Sequence, residues 1–165
     1  MITYQLEKFE LGKTKLLISG ICGAGKSTLA IEYSDKYDVP LHRTDLFCEN
    51  TWPYTFKKFK DKKYWGHKLE AYRKIINMLR QPEQSIIEGI SIMEMYYLLP
   101  ESRKLILSNS IILLSTPLMK STVRGVWRDR YKGLLSEAIH FSRFNLCYSH
   151  KHSKFFRNAL EEEMI

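Results

Sequence analysis

The sequence predicts a three-layer α/β sandwich built on a mainly parallel central sheet. Three observations lead there. Short runs rich in Ile and Leu alternate with longer amphipathic stretches, each run ends near a residue able to do chemistry, and a glycine-rich turn joins the first run to the first helix. The runs are Leu16-Leu17-Ile18, Ser85-Ile86-Ile87 and Ile111-Ile112-Leu113-Leu114. A strand buried on both faces reads as a continuous apolar run rather than as an alternation. Strand alternating with helix is the pattern of a parallel sheet covered on both sides.

Taken in order, Thr3 to Leu11 would form an antiparallel strand before Gly12-Lys13 turns into the first parallel one. Ser27 to Tyr37 reads as the helix after the glycine-rich turn, and Leu41 to Thr44 as a weaker strand reaching Asp45. Tyr64 to Leu79 reads as a helix with Leu69, Tyr72, Ile76 and Leu79 near one face, stopped by Pro82. Beyond the Ile111–Leu114 strand, Leu134 to Phe141 is expected to be helical, Asn145 to Tyr148 a last short strand, and Ser153 to Met164 a closing helix. No repeat, low-complexity tract or Pro/Gly/Ser-rich linker interrupts the 165 residues, so one domain over 1–165 is expected.

Composition narrows the class. At 44% hydrophobic and 13% aromatic, the chain has ample material for a core, which excludes a disordered protein. Lys and Arg number 26 against 18 Asp and Glu, a formal charge of +8 that favours an anionic partner: nucleotide, sugar phosphate, nucleic acid or membrane surface. Cys22, Cys48 and Cys147 have no metal-type spacing and read as reduced, semi-apolar fillers. No long apolar run follows a basic start and none approaches the ~20 residues of a membrane span. A cytoplasmic, soluble protein without a membrane partner is therefore expected.

Gly20-Ile21-Cys22-Gly23-Ala24-Gly25-Lys26-Ser27 fits G-x-x-x-x-G-K-[ST] at every fixed position, with an apolar strand before it and Thr28-Leu29-Ala30 opening a helix behind it. Glycines let consecutive backbone N–H groups turn inward around phosphate oxygens, and the helix points its positive end at the same anion. Gly20, Gly23, Ala24, Gly25, Lys26, Ser27 and Thr28 are thus the expected nucleotide-binding residues. Lys26 would reach the β- and γ-phosphates, and the Ser27 hydroxyl would ligate Mg²⁺.

Two carboxylates narrow the chemistry. Asp45 and Glu88 each follow a strand, so a parallel sheet would bring both to the end where the phosphate loop lies. One carboxylate there can accept the proton of an attacking hydroxyl, and another can hold magnesium. The alternatives are ordinary: Asp45 as a cap before Leu46, and Glu88-Gly89 as strand-end punctuation.

Downstream, a helix after Thr116-Pro117 would carry Lys120, Arg124, Arg128 and Arg130, with Arg124 and Arg128 four apart on one face. A lid over 118–133 is expected there, its arginines closing on the transferring phosphate unless they form only a solvated face. Lys57-Lys58-Phe59-Lys60-Asp61-Lys62-Lys63-Tyr64-Trp65 mixes lysines with aromatics after Trp52, Tyr54 and Phe56. That mixture suits a base with a phosphate, a single strand of nucleic acid, or merely a solvated face.

With these residues in view, the chain resembles the uridine kinases and their phosphoribulokinase and pantothenate kinase relatives. Thr44-Asp45-Leu46-Phe47 looks like that group's Asp-Ser-Phe segment, and Ile86-Ile87-Glu88-Gly89-Ile90 like its Glu-Gly strand end. The run from Arg124 to Gly133 is similar to its Arg-Asp lid. The resemblance implies Asp45 as general base, Glu88 near magnesium, and lid arginines on the transferring phosphate; Ser27, Glu88 and Asp45 are together the expected magnesium-side residues. Glu49 to Arg80 departs from the group's acceptor pattern, so the resemblance speaks to fold and phosphotransfer rather than to substrate. The expectation is an ATP- and Mg²⁺-dependent kinase acting on a hydroxyl of a nucleoside, nucleotide or sugar-like metabolite. Two alternatives stand beside it: a polynucleotide 5′-hydroxyl kinase acting on a single-stranded end, and a nucleotide-binding switch with little catalysis.

Overall fold

A computed structural model describes residues 15–47 and 62–114, with side chains from 68 onward in the second of these, and single positions within 116–127 and 154–162. The expected strands at Thr3–Leu11 and Asn145–Tyr148, the helix at Leu134–Phe141, the aromatics at 52–56, the side chains of the lysine–aromatic run, and Arg128 and Arg130 lie outside the described residues.

Among the described residues, four parallel strands form the sheet: β1 (Lys15–Gly20), β2 (Leu41–Arg43), β3 (Ser85–Glu88) and β4 (Ser110–Leu114), in the order β2-β3-β1-β4. Every residue of β1 and β3 is buried, which is why both read as unbroken apolar runs. Alternate side chains serve opposite faces. Leu16, Ile18, Ile86 and Ile112 pack with Ala30 on one face, joined by the half-buried Leu29 and Tyr33 of α1 (Lys26–Tyr37). Leu17, Ile87 and Leu113 face the other way, into a larger core.

That larger core is closed by α3 (Lys62–Arg80), α4 (Ser91–Leu98) and α5 (Pro100–Leu107), through Tyr72, Ile75, Leu79, Met93, Met95 and Ile106. Helices on both faces give the three layers that the sequence predicts. Phe156, at a helical position of the C-terminal region, is fully buried, with its ring edge-on to Tyr96 at 4.9 Å between centroids. Lys154, Asn158 and Glu162 are also helical, in keeping with the expected closing helix.

Two local expectations change. Thr44 leaves the strand and opens α2 (Thr44–Phe47), so β2 ends at Arg43 and Asp45 lies in a helical first turn. In α3 the buried face is Lys68, Ala71, Tyr72, Ile75 and Leu79, while Leu69 is exposed and Ile76 half-buried. The face follows the 3.6-residue period, but one of its members is a lysine. A purely apolar reading shifts the stripe one position toward Leu69. The helices α4 and α5, over a stretch that carries no strong sequence signal, complete the covering layer.

Candidate active site

The site lies beyond the carboxyl ends of β1, β2 and β3. From β1 the chain crosses to β2 on one side, returns through β3 and passes to β4 on the other, so the order reverses next to β1 and a crevice opens there, where ligands of open α/β sheets bind. The turn after β1 is shaped by its glycines. Gly23 and Gly25 have φ of 78° and 95°, conformations that L-residues with a Cβ seldom adopt. Gly25 occupies the N-cap of α1 with no side-chain hydrogen bond to the helix end. Gly25 thus offers the first N–H groups of α1 no side-chain cap, and a Cβ built on it would meet open space. A helix start of this kind presents aligned donors and a positive dipole end to an anion.

Lys26 is buried, and its ammonium donates to the Ile21 carbonyl at 3.1 Å, folding back over the same turn. Ser27 turns instead toward β3, its hydroxyl donating to Glu88 Oε1 at 3.0 Å. Glu88 is fully buried and also accepts from Arg43 Nε at 3.2 Å. Arg43 stands directly across from Glu88 in the β2–β3 register, which explains the pairing. The other Glu88 oxygen, Oε2, is buried without a hydrogen-bond partner among the described residues. A buried carboxylate oxygen with nothing to accept from is costly and marks a place for a ligand.

Asp45 supplies a second orphan. Its Oδ1 is buried and has no partner among the described residues. Burial pushes its carboxyl above the usual aspartate range; Lys26 and Arg43 pull it back, while Glu88 and Glu94 add to the rise. A carboxylate raised in this way is better suited to take a proton near neutral pH. The position of Asp45 is fixed by a close approach beneath it. Gly89 has φ of 147°, and a Cβ there would lie 1.8 Å from Thr44 Oγ1. Ser19 Oγ donates to the Gly89 carbonyl at 2.8 Å, tying the ends of β1 and β3 together. On the other flank Thr116 Oγ1 donates to the Ala24 carbonyl at 3.4 Å, so the segment after β4 meets the glycine-rich turn. Lys120 and Arg124 follow at exposed helical positions.

The residues fit a divalent cation carried with nucleotide phosphates. Ser27 and Glu88 form a hydroxyl–carboxylate pair at the end of the turn, and the orphan Oε2 can accept from a metal-bound water. Among the described residues no three His, Cys, Asp or Glu side chains gather into an all-protein metal cage. Magnesium characteristically takes one or two carboxylates together with phosphate oxygens.

Lys26, Ser27, Asp45 and Glu88 thus come together, as the sequence suggests. Arg43 escaped that reading, although alternation along Leu41-His42-Arg43 would put it at the strand end facing Glu88. A buried cluster was also missed: Lys68 pairs with Glu94 Oε2 at 2.9 Å, and the same oxygen accepts from Tyr72 Oη at 2.8 Å. It spans α3 and α4, both of which α2 contacts, and Glu94 is close enough to raise the Asp45 carboxyl. A lysine within an apolar helical stripe was its one sequence signal.

Strand order, glycine-rich turn and paired carboxylates define the fold of the P-loop kinases. Comparison with solved structures agrees: shikimate kinase from Acinetobacter baumannii, determined in complex with shikimate, matches with a TM-score of 0.56 and 16% identity, over 87% of this chain and 79% of that one. A structure described as a putative kinase from Chloroflexus aurantiacus matches with a TM-score of 0.51 and 12% identity, over 92% of this chain and 98% of the other. In sequence, the chain is 33% identical to deoxyadenosine kinase from Dictyostelium discoideum over 82 residues, half of this chain and 31% of the length of that relative. No family model matches the sequence. These likenesses carry the P-loop kinase fold and do not single out the uridine kinase group. Among the described residues, no helix is long and apolar enough to cross a membrane.

Proposed function

We propose that this chain transfers the γ-phosphate of ATP, with Mg²⁺, to a hydroxyl of a small metabolite such as a nucleoside, nucleotide or sugar-like compound. It would work as one domain over 1–165, with a lid at 118–133. The observation that carries this reading is the pair of orphan carboxylate oxygens, Glu88 Oε2 and Asp45 Oδ1, at the sheet end where the glycine-rich turn lies. Glu88 alone would serve a protein that only bound a metal nucleotide; the second carboxylate, Asp45, is what favours transfer.

In this reading the backbone of residues 20–25 and the start of α1, through Thr28, cradle the phosphates. Lys26 leaves the Ile21 carbonyl to neutralise the β- and γ-oxygens. Ser27 and Glu88 would hold magnesium, which would supply screening of the phosphate charge. Asp45 accepts the proton of the attacking hydroxyl, its raised affinity for protons matched to that task. Arg124 and Arg128 close from the lid onto the transferring group, keeping their charge throughout. The order of Asp45, Glu88-Gly89 and the Arg124–Gly133 segment supports kinship with the uridine kinase group. The deoxyadenosine kinase likeness supports an acceptor of the nucleoside or nucleotide kind.

The test is ATP turnover across a panel of nucleosides, nucleotides and sugars, comparing the unaltered chain with Asp45→Asn. Transfer to one acceptor class, lost in the variant while ATP still binds, is the expected result. Turnover untouched by Asp45→Asn would remove Asp45 as the base, and nucleotide binding without transfer to any acceptor would favour a switch.

A further inference from the structure

Arg43 has a place in the site that none of these roles uses. Its Nε is pinned to Glu88 Oε1 at 3.2 Å, yet the side chain is 46% exposed while Glu88 is wholly buried. Glu88 is its only hydrogen-bonding or ion-pairing partner among the described residues. The terminal N–H donors of the guanidinium make no hydrogen bond to the described residues and face solvent, and that plane can grip a carboxylate or phosphate through two bonds at once.

Topology says on which side they act. β2 is the edge strand, with β3 between it and β1, whose end carries the phosphate turn. Ser27 reaches Glu88 from the phosphate side, and Arg43 reaches the same oxygen from the far side. Asp45 stands two residues beyond, with its orphan oxygen and its Coulombic coupling to Arg43. Electrostatics points the same way. A guanidinium and a divalent cation sharing one carboxylate repel each other, so the arrangement is favourable when an additional anion stands against the arginine. The formal charge of +8 fits anionic small molecules as well.

We infer that Arg43 is a specificity-determining residue that binds an anionic group, carboxylate or phosphate, on the acceptor whose hydroxyl Asp45 activates. This deepens the phosphotransfer reading and rests on it. It separates hydroxy acids and phosphorylated acceptors from neutral nucleosides and polyols.

The experiment uses the full chain and acceptor pairs differing by one anionic group: glycerol against glycerate for a carboxylate, adenosine against 3′-AMP for a phosphate. Transfer from radiolabelled ATP is read beside calorimetric binding of the same compounds, with and without Mg²⁺ and a non-hydrolysable ATP analogue. In at least one pair the anionic member should be favoured by about tenfold or more, the size of a charge-assisted contact. That preference should fall toward unity in Arg43→Gln and be partly kept in Arg43→Lys, and the pair that shows it tells carboxylate from phosphate. Absence of preference in both pairs by both readouts overturns the inference, as does a preference that survives Arg43→Gln. A variant that loses only kcat, with acceptor KM unmoved, would put Arg43 on the transferring phosphate and overturn it too. Anion preference in binding, without any transfer, would sustain the Arg43 site while the phosphotransfer reading failed.

Discussion

Gly89 offers the sharpest test of how the fold positions Asp45, the proposed base. A methyl group there, in Gly89→Ala, meets two separate penalties. The first is conformational: φ of 147° is a region L-residues rarely adopt, and holding Ala there costs about 1–3 kcal/mol. The second is steric. The new Cβ would sit 1.8 Å from Thr44 Oγ1 and 3.0 Å from Thr44 Cβ. Rotating the threonine frees Oγ1 but not Cβ, and Thr44 is fully buried, so overpacking adds about 1–3 kcal/mol. The sum, about 2–6 kcal/mol, is a large share of the ~5–15 kcal/mol typical of a domain. Urea unfolding should show it. Because Thr44 adjoins Asp45, any chain that still folds would hold the proposed base displaced, and a shift of ~1 Å is worth roughly 100-fold in turnover. A cycle with Thr44→Gly isolates the steric part, with an expected favourable coupling of about 1 kcal/mol or more. Stability of Gly89→Ala within ~0.5 kcal/mol of the unaltered chain, with no coupling to Thr44, would refute the reasoning.

Asp45→Asn should lower transfer about 100- to 10,000-fold while stabilising the fold at neutral pH. Burial raises the Asp45 carboxyl in the folded chain, so its favourable contribution is complete below the unfolded value and fades as pH rises through the folded one. Removing the carboxyl should flatten that decline in a pH series of unfolding curves; an unchanged slope would count against it. Lys68→Met should cost about 3–5 kcal/mol by leaving Glu94 buried without its cation, and adding Glu94→Gln should recover much of that, since Tyr72 can still donate to the amide oxygen. Phe156→Ala should lose about 3–5 kcal/mol with the edge-on contact to Tyr96, visible as a lowered Tm. A surface-like effect there would mean the C-terminal helix contributes little to the core.

The sequence alone determined the parallel sheet, the phosphate turn and the two carboxylates. β1 and β3 are buried on both faces, so their apolar runs carry the signal locally, and the turn needs glycines at fixed spacing because its backbone visits positive φ. Asp45 and Glu88 were legible because strand ends of a parallel sheet converge, whatever the details of packing. Other features belong to the tertiary structure. Arg43 meets Glu88 only because β2 lies beside β3 in the observed register, and a strand order cannot be read from local sequence. The Lys68–Tyr72–Glu94 cluster depends on α3 docking against α4, which turns a lysine that reads as a solvated charge into a buried ion pair. Local pattern records which residues are buried and which turns are possible, whereas the pairing of charges distant in the chain exists only once the layers close.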